Sequence, residues 1–229
     1  MMFRTNKHKN LESIHMGTCE MEEKNWLLYE SEIYQNGYHC VCGVDEAGRG
    51  PLAGPVFAAA VVLPRGIIID GVNDSKKLTE KKRNQLYDII KEECLDCCIS
   101  TASEKEIDDI NILNASLLAM QRAIEGLKIK PDFALIDGNK SPQLYIASKC
   151  IVKGDSLSES IAAASILAKV ERDRFMTEMS KIYPEYFFEK HKGYGTKLHV
   201  ELIKKYGPTK IHRRSFLHKI LNDDQLKLF

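Results

Sequence analysis

A chain of 229 residues in which 44% are hydrophobic and 28% are charged, with a net charge of only +1, is long enough to bury a sizeable core and reads as a soluble globular protein of one large domain with appendages. No apolar run approaches the roughly 20 residues of a membrane helix, no repeat or low-complexity segment is present, and the basic N-terminus lacks the apolar middle of a signal peptide. Seven cysteines, an odd number, then imply reduced thiols and a cytoplasmic location; "CLDCC" (Cys94–Cys98) holds a C-x-x-C, but no second pair stands at zinc spacing.

Residues 1–24 are polar and aperiodic, an expected flexible N-terminal segment in which Met16 and Met21 leave the start site open. "NWLLYESEIYQNG" predicts a short helix ended by Gly37. Strand-like runs follow at 39–44 and 56–63, separated by a glycine-rich stretch and closed by a turn at Pro64-Arg65-Gly66. Residues 79–93 predict a helix, 97–101 a strand, and 110–127 a helix with Leu113, Leu117, Met120 and Ile124 on one stripe. Two short apolar strands, 133–136 and 150–152, precede a long helix over 157–179. Ser156 and Glu159 have capping-box spacing at its start, and Ala162, Ala163, Ala164 and Ala168 suit close packing on a sheet. The remainder reads as helical and basic. Ten Lys and Arg lie between Lys181 and Lys219 against three acids, either a phosphate track or a solvated helical face; Lys76, Lys77, Lys81, Lys82 and Arg83 form a second cluster. Strands joined by short links, then helix–strand alternation, predict an α/β fold with a mixed sheet flanked by helices.

Three acidic spots stand where an apolar run meets a glycine or a helix start: Asp45-Glu46, Asp137 before Gly138, and Asp155 after Gly154. Four carboxylates gathered at strand ends repel one another unless cations neutralise them, and hard oxygen ligands suit Mg²⁺ or Mn²⁺. Two such ions about 4 Å apart can flank a phosphate during in-line displacement. Each acid taken singly is equally at home as a solvated or capping residue. One geometric condition applies: neighbouring strand residues face opposite sides, so Asp45 and Glu46 share a site only if the strand ends or bends there.

Gly48 and Gly50 free the backbone around Arg49 for close approach to a ligand, and Arg49 adds a guanidinium suited to phosphate. A nucleotide P-loop is excluded, because no Gly-Lys-Ser/Thr follows. A plain tight loop remains the alternative.

Taken together, "GVDEAGRGPLAGPVFAAAVVLP", "VNDSKKLTEKKR", "NILNASLLAM", "LIDGN", "KGDSLSESIAAASILAKVERDR", "HKGYGTKLH" and "YGPTKIHRRSF" resemble bacterial ribonuclease HII, in order, over about residues 27 to 217. The resemblance implies a ribonuclease H-like mixed sheet of five strands flanked by helices, with a C-terminal helical extension. It implies an endoribonuclease that uses Mg²⁺ or Mn²⁺, two ions in the active complex. The implied substrates are RNA–DNA hybrids and single ribonucleotides in duplex DNA, cut to leave 5′-phosphate and 3′-hydroxyl ends. The family's four acids fall on Asp45, Glu46, Asp137 and Asp155, its glycine-arginine-glycine loop on Gly48, Arg49 and Gly50, and its junction-sensing tyrosine on Tyr194. Ser75, Lys76 and Lys77 match positions near the nucleic-acid backbone. Ribonuclease HIII is less similar, because it lacks the Gly-Arg-Gly loop. His191, His199 and His212 are expected in structural or phosphate-near roles.

The expected division is a flexible segment over 1–24, a catalytic domain over 25–217 and a tail over 218–229, in a monomer with no membrane attachment. The closing "QLKLF", with Gln225, Leu226, Leu228 and Phe229, resembles the pentapeptide by which bacterial replication proteins dock on the sliding clamp; it reads equally as the last turn of an amphipathic helix.

Overall fold

The computed structural model describes residues 25–222. In chain order these form α1 (Leu28–Gln35), β1 (Val41–Ala47), β2 (Val56–Val62), α2 (Glu80–Glu93), β3 (Asp96–Ala102), α3 (Glu104–Glu125), β4 (Phe133–Asp137), β5 (Ala147–Ile151), α4 (Glu159–Ile182), α5 (Phe188–His191), α6 (Lys197–Tyr206) and α7 (Arg214–Asn222). Five strands make one mixed sheet in the order β3-β2-β1-β4-β5. The first three are antiparallel neighbours, and β1, β4 and β5 run parallel. Among the described residues no helix is long and apolar enough to cross a membrane.

Strand alternation sorts the core into two layers. Cys42, Val44, Ala58, Ala60, Ala134 and Ile136 face α3, where they meet Ala115, Ala119, Met120 and Ala123. Ala59 and Val61 face α4 with its alanines 162–164, while Val41, Phe133 and Leu135 pack on Ile161. The alanines permit the close approach the sequence suggests, and Gly43 permits more. A Cβ at Gly43 would stand 2.1 Å from the carbonyl carbon of Ser160, so α4 crosses β1 where the strand has no side chain. That crossing sets the depth at which the next β1 residues emerge.

The differences from the predicted elements have local causes. The helix predicted from residue 110 starts at Glu104, because Ser103 and Glu106 form a reciprocal capping box. The helix kinks at Asn111, whose φ is 67°, just before the predicted stripe begins. At α4 the cap is Ser158, whose Oγ accepts from the Ile161 N–H, and not Ser156, which donates to Lys153 O. Glu159 turns away and accepts from the Ile69 N–H at 2.8 Å. β5 begins at Ala147, three residues before the predicted strand. α7 runs through residue 217 to Asn222, so helix continues past the expected start of the tail. Gln225, Leu226, Leu228 and Phe229 lie outside the described residues.

Candidate active site

The site forms where β1 outruns β4. Their parallel ladder stops at Val44↔Ile136, but β1 continues through Asp45, Glu46 and Ala47, still paired with β2. The bend considered for Glu46 is therefore absent. Asp45 and Glu46 remain strand residues on opposite faces, and they straddle the open end of the sheet. Asp137 is the last residue of β4. Asp155 comes from the 3-10 turn Gly154–Ser156, which Lys153 enters with a left-handed φ of 60°.

A cleft lined by Asp45, Glu46, Ala47, Gly48, Arg49, Gly50, Ser75, Lys76, Lys169 and Tyr194 opens on the α4 side. A second, lined by Glu46, Arg49, Asp137, Gly138 and Lys140 among others, opens towards α3. Glu46 and Arg49 belong to both. Asp155, buried at 6% exposure, joins the first through Lys76, whose Nζ stands 3.7 Å from its carboxylate.

The four charges sense one another. Asp45 is 5% exposed. Burial first, then the charges of Glu46, Asp137 and Asp155, push its carboxyl well above the usual range, against the N–H of Glu46. Burial also raises Glu46, with Asp137 adding to it and Arg49 opposing. Asp155 rises through burial, then through Asp137 and Asp74, with Lys76 opposing. For Lys76, burial pulls downward, but Asp45, Asp155, Asp74 and Asp137 outweigh it and hold the ammonium above its ordinary value.

Among the described residues no group of three or more His, Cys, Asp or Glu side chains is arranged to hold a metal ion as it stands. Three of the four carboxylates are engaged by donors of their own. Asp45 accepts from the Glu46 N–H at 2.6 Å, Glu46 from Arg49 at 3.4 Å, and Asp137 from the Gly154 N–H at 2.7 Å. The donor set nevertheless fits a hard divalent cation: four carboxylates, two of them buried, whose mutual repulsion such an ion would relieve.

The Gly-Arg-Gly loop is held from behind by two buried arginines that sequence reasoning missed. Arg213 donates to the carbonyls of Gly48 at 2.6 Å, Arg49 at 2.9 Å, Pro51 at 2.8 Å and Gly54 at 2.8 Å. Arg172 of α4 donates to Ala53 O at 3.2 Å and Lys192 O at 3.0 Å, and its guanidinium lies 5.7 Å from the centre of the Tyr194 ring. It thus ties the loop to the turn that carries the tyrosine. Gly48 is demanded by this packing: its φ is 100°, and a Cβ would lie 2.1 Å from Arg172 Nε. Gly50 is not, because a Cβ there meets only the Tyr194 ring, at 3.7 Å. A signal for Arg172 was present, since Ala168, Arg172 and Met176 recur at helical spacing and all are buried. Arg213 has no such periodicity, and its contacts reach about 160 residues back along the chain.

Tyr194 is 44% exposed beside Gly50. Ser75 lines the cleft but is buried, its N–H donating to Ser165 Oγ. Lys77 does not reach the cleft lining; its ammonium is turned to Asp74 at 4.0 Å. Lys169, which the sequence did not single out, does line it. His191, His199 and His212 are buried against Tyr186 and Phe188 beneath the loop. His199 and His212 meet Nε2 to Nε2 at 3.0 Å. Burial lowers them to about 4 and about 3 respectively, so they are neutral packing groups at pH 7.

The family model for Ribonuclease HII matches residues 42–219. Proteins named ribonuclease HII are similar over most of their length. One from Caldicellulosiruptor saccharolyticus is 56% identical over 87% of this chain and 97% of its own; one from Clostridioides difficile is 54% identical over 93% and 83%. The solved structure of ribonuclease H2 from Pyrococcus horikoshii superposes with a TM-score of 0.68 at 29% identity, covering 82% of this chain and 99% of that one. Bst-RNase HIII in complex with Mn²⁺ shares the fold at a TM-score of 0.64 and 20% identity, over 82% of this chain and 71% of that one.

Proposed function

Because the chain belongs to the ribonuclease HII family, and so is a ribonuclease H that cleaves the RNA strand of RNA–DNA hybrids, we propose that it also cuts at single ribonucleotides embedded in duplex DNA, leaving 5′-phosphate and 3′-hydroxyl ends. The observation that carries this reading is that Glu46, Asp137 and Asp155, drawn with Asp45 from three separate parts of the chain, all act on the buried Asp45 carboxyl, and that Asp45 and Glu46 share a cleft with a glycine-arginine-glycine loop and an exposed tyrosine.

Asp45, Glu46, Asp137 and Asp155 would hold Mg²⁺ or Mn²⁺, two ions in the active complex, and in this reading Asp45 would serve both. Such ions, when bound, supply a water acidic enough to attack and offset the charge gathering on the scissile phosphate. The chain's own groups do the rest. Lys76, Lys169 and Arg49 bring positive charge to the cleft rim, where a phosphate backbone would run. The 2′-hydroxyl is the local mark that separates a lone ribonucleotide from DNA. Gly50 leaves backbone bare at the cleft surface where the fold itself would tolerate a methyl group, room that suits hydrogen bonds to that hydroxyl. Tyr194, beside it, suits stacking on the neighbouring deoxyribose.

The test is a cleavage assay on a DNA duplex with one internal ribonucleotide, with Mg²⁺ and with chelator. Cutting at the ribonucleotide is expected only with the ion, and an all-DNA duplex should stay intact. Asp45→Asn should lower kcat by about 1,000-fold or more while substrate affinity stays within about threefold. An uncut single-ribonucleotide duplex beside a well-cut long hybrid would sink the single-ribonucleotide assignment.

A further inference from the structure

On the far side of α2, away from the cleft, three reactive groups meet. Lys91 lies in the last turn of α2, Cys94 caps its C-terminal end, and Cys97 is the second residue of β3. Lys91 Nζ stands 3.2 Å from Cys97 Sγ. Cys94 lies next to the same sulfur, and its thiol donates to Lys91 O at 3.8 Å. Both thiols are free and partly exposed, and neither has a place in the cleavage reaction. Cys98, next in sequence, points to the other face of the sheet and packs against Gly126. Cys42 is fully buried. We infer that Cys97 is a modification site, a nucleophilic sulfur that reacts with peroxides and soft electrophiles before any other described cysteine, with Cys94 as its resolving thiol.

The physical case is charge and access. The neighbouring Cys94 thiol and the Lys91 ammonium favour the thiolate and bring Cys97 down to about 6, against burial and the charge of Asp96. Cys97 raises Cys94 in turn. Tyr87 of α2 and Asp96 of β3 are the other titratable groups facing the pair, with Glu171 and Arg174 of α4 acting on Tyr87 and Lys91 behind them. With hydrogen peroxide, Cys97 sulfur attacks one peroxide oxygen. The S–O bond forms, the O–O bond breaks and hydroxide leaves, so that sulfur is oxidised by two electrons and peroxide reduced. Cys94 then loses its proton and attacks Cys97 sulfur, forming S–S and releasing the sulfenic oxygen as water.

The test uses the full-length protein and limiting iodoacetamide at pH 6, followed by peptide mapping. The larger thiolate fraction of Cys97, offset in part by weaker intrinsic nucleophilicity, leaves it about tenfold faster than an ordinary thiol. Cys97 should therefore label about tenfold faster than Cys98. Lys91→Met should slow Cys97 severalfold and leave Cys98, which reports an intact fold, unchanged. Under peroxide the wild type should gain a Cys94–Cys97 disulfide, and Cys94→Ser should hold a dimedone-reactive sulfenic acid at Cys97. Equal labelling of Cys97 and Cys98, no effect of Lys91→Met, or a first peroxide product lacking Cys97 would each overturn the inference.

Discussion

At the scale of single residues, Asp45 concentrates the electrostatic strain of the molecule. Without cations its carboxyl is held high by burial and three like charges. A carboxyl raised on folding contributes stability below the unfolded value near 4, and that contribution is lost as pH climbs through the folded value. In chelator, Asp45→Asn removes the loss. Its melting midpoint at pH 7 should exceed the wild type's by a few degrees, and the two should coincide below about pH 4. Saturating Mg²⁺ should raise the wild-type midpoint and narrow the gap. A variant no more stable than wild type in chelator at pH 7 would show that the charge cluster costs the fold nothing.

At the scale of elements, the proposed recognition loop is a product of the C-terminal extension. The segment after α6 returns to the loop as a strap. Gly54 N–H donates to Ile211 O at 2.8 Å, Arg213 N–H donates to Leu52 O at 2.9 Å, and Ala53 bridges His212. The Arg213 guanidinium then draws four loop carbonyls inward. Arg213→Met would leave those carbonyls without their donor, a loss of about 3 kcal/mol or more and roughly 6–12 °C in melting midpoint. Because the arginine positions the loop without touching the carboxylates, folded Arg213→Met at 25 °C should show KM for a single-ribonucleotide duplex raised about tenfold with kcat changed less. Arg213→Lys should recover part of both. An unchanged KM would make the strap purely structural.

At the scale of the whole molecule, a net charge of +1 hides an uneven distribution: acids at the open end of the sheet, with Arg49, Lys76 and Lys169 around them. The C-terminal Gln225–Phe229 segment lies outside the described residues, and its proposed role is recruitment to the sliding clamp. Deleting residues 223–229 should abolish binding to purified clamp and leave hybrid cleavage within about twofold, since no cleft residue is removed. Equal clamp binding by both forms, or by neither, removes that role.

Much of this was written in the chain. Hydrophobic periodicity located the strands and long helices, because burial on one or two faces leaves a pattern of local period. The four acids could be proposed as a set because they stand where an apolar run meets a glycine or a helix start, and the family motifs then pointed to Gly48, Arg49, Gly50 and Tyr194. Three matters waited for the tertiary structure. Asp45 and Glu46 lie near each other at the sheet end with no bend between them, because β1 outlasts its partner β4. Lys77 leaves the cleft, because its exposed ammonium turns to Asp74, while half-buried Lys169 lines it, because α4 passes there. Arg213 reaches back about 160 residues to hold Gly48 and Gly54. Local period encodes which face of an element is buried. It carries no record of which distant backbone a buried guanidinium meets, since that pairing exists only once the chain has closed on itself.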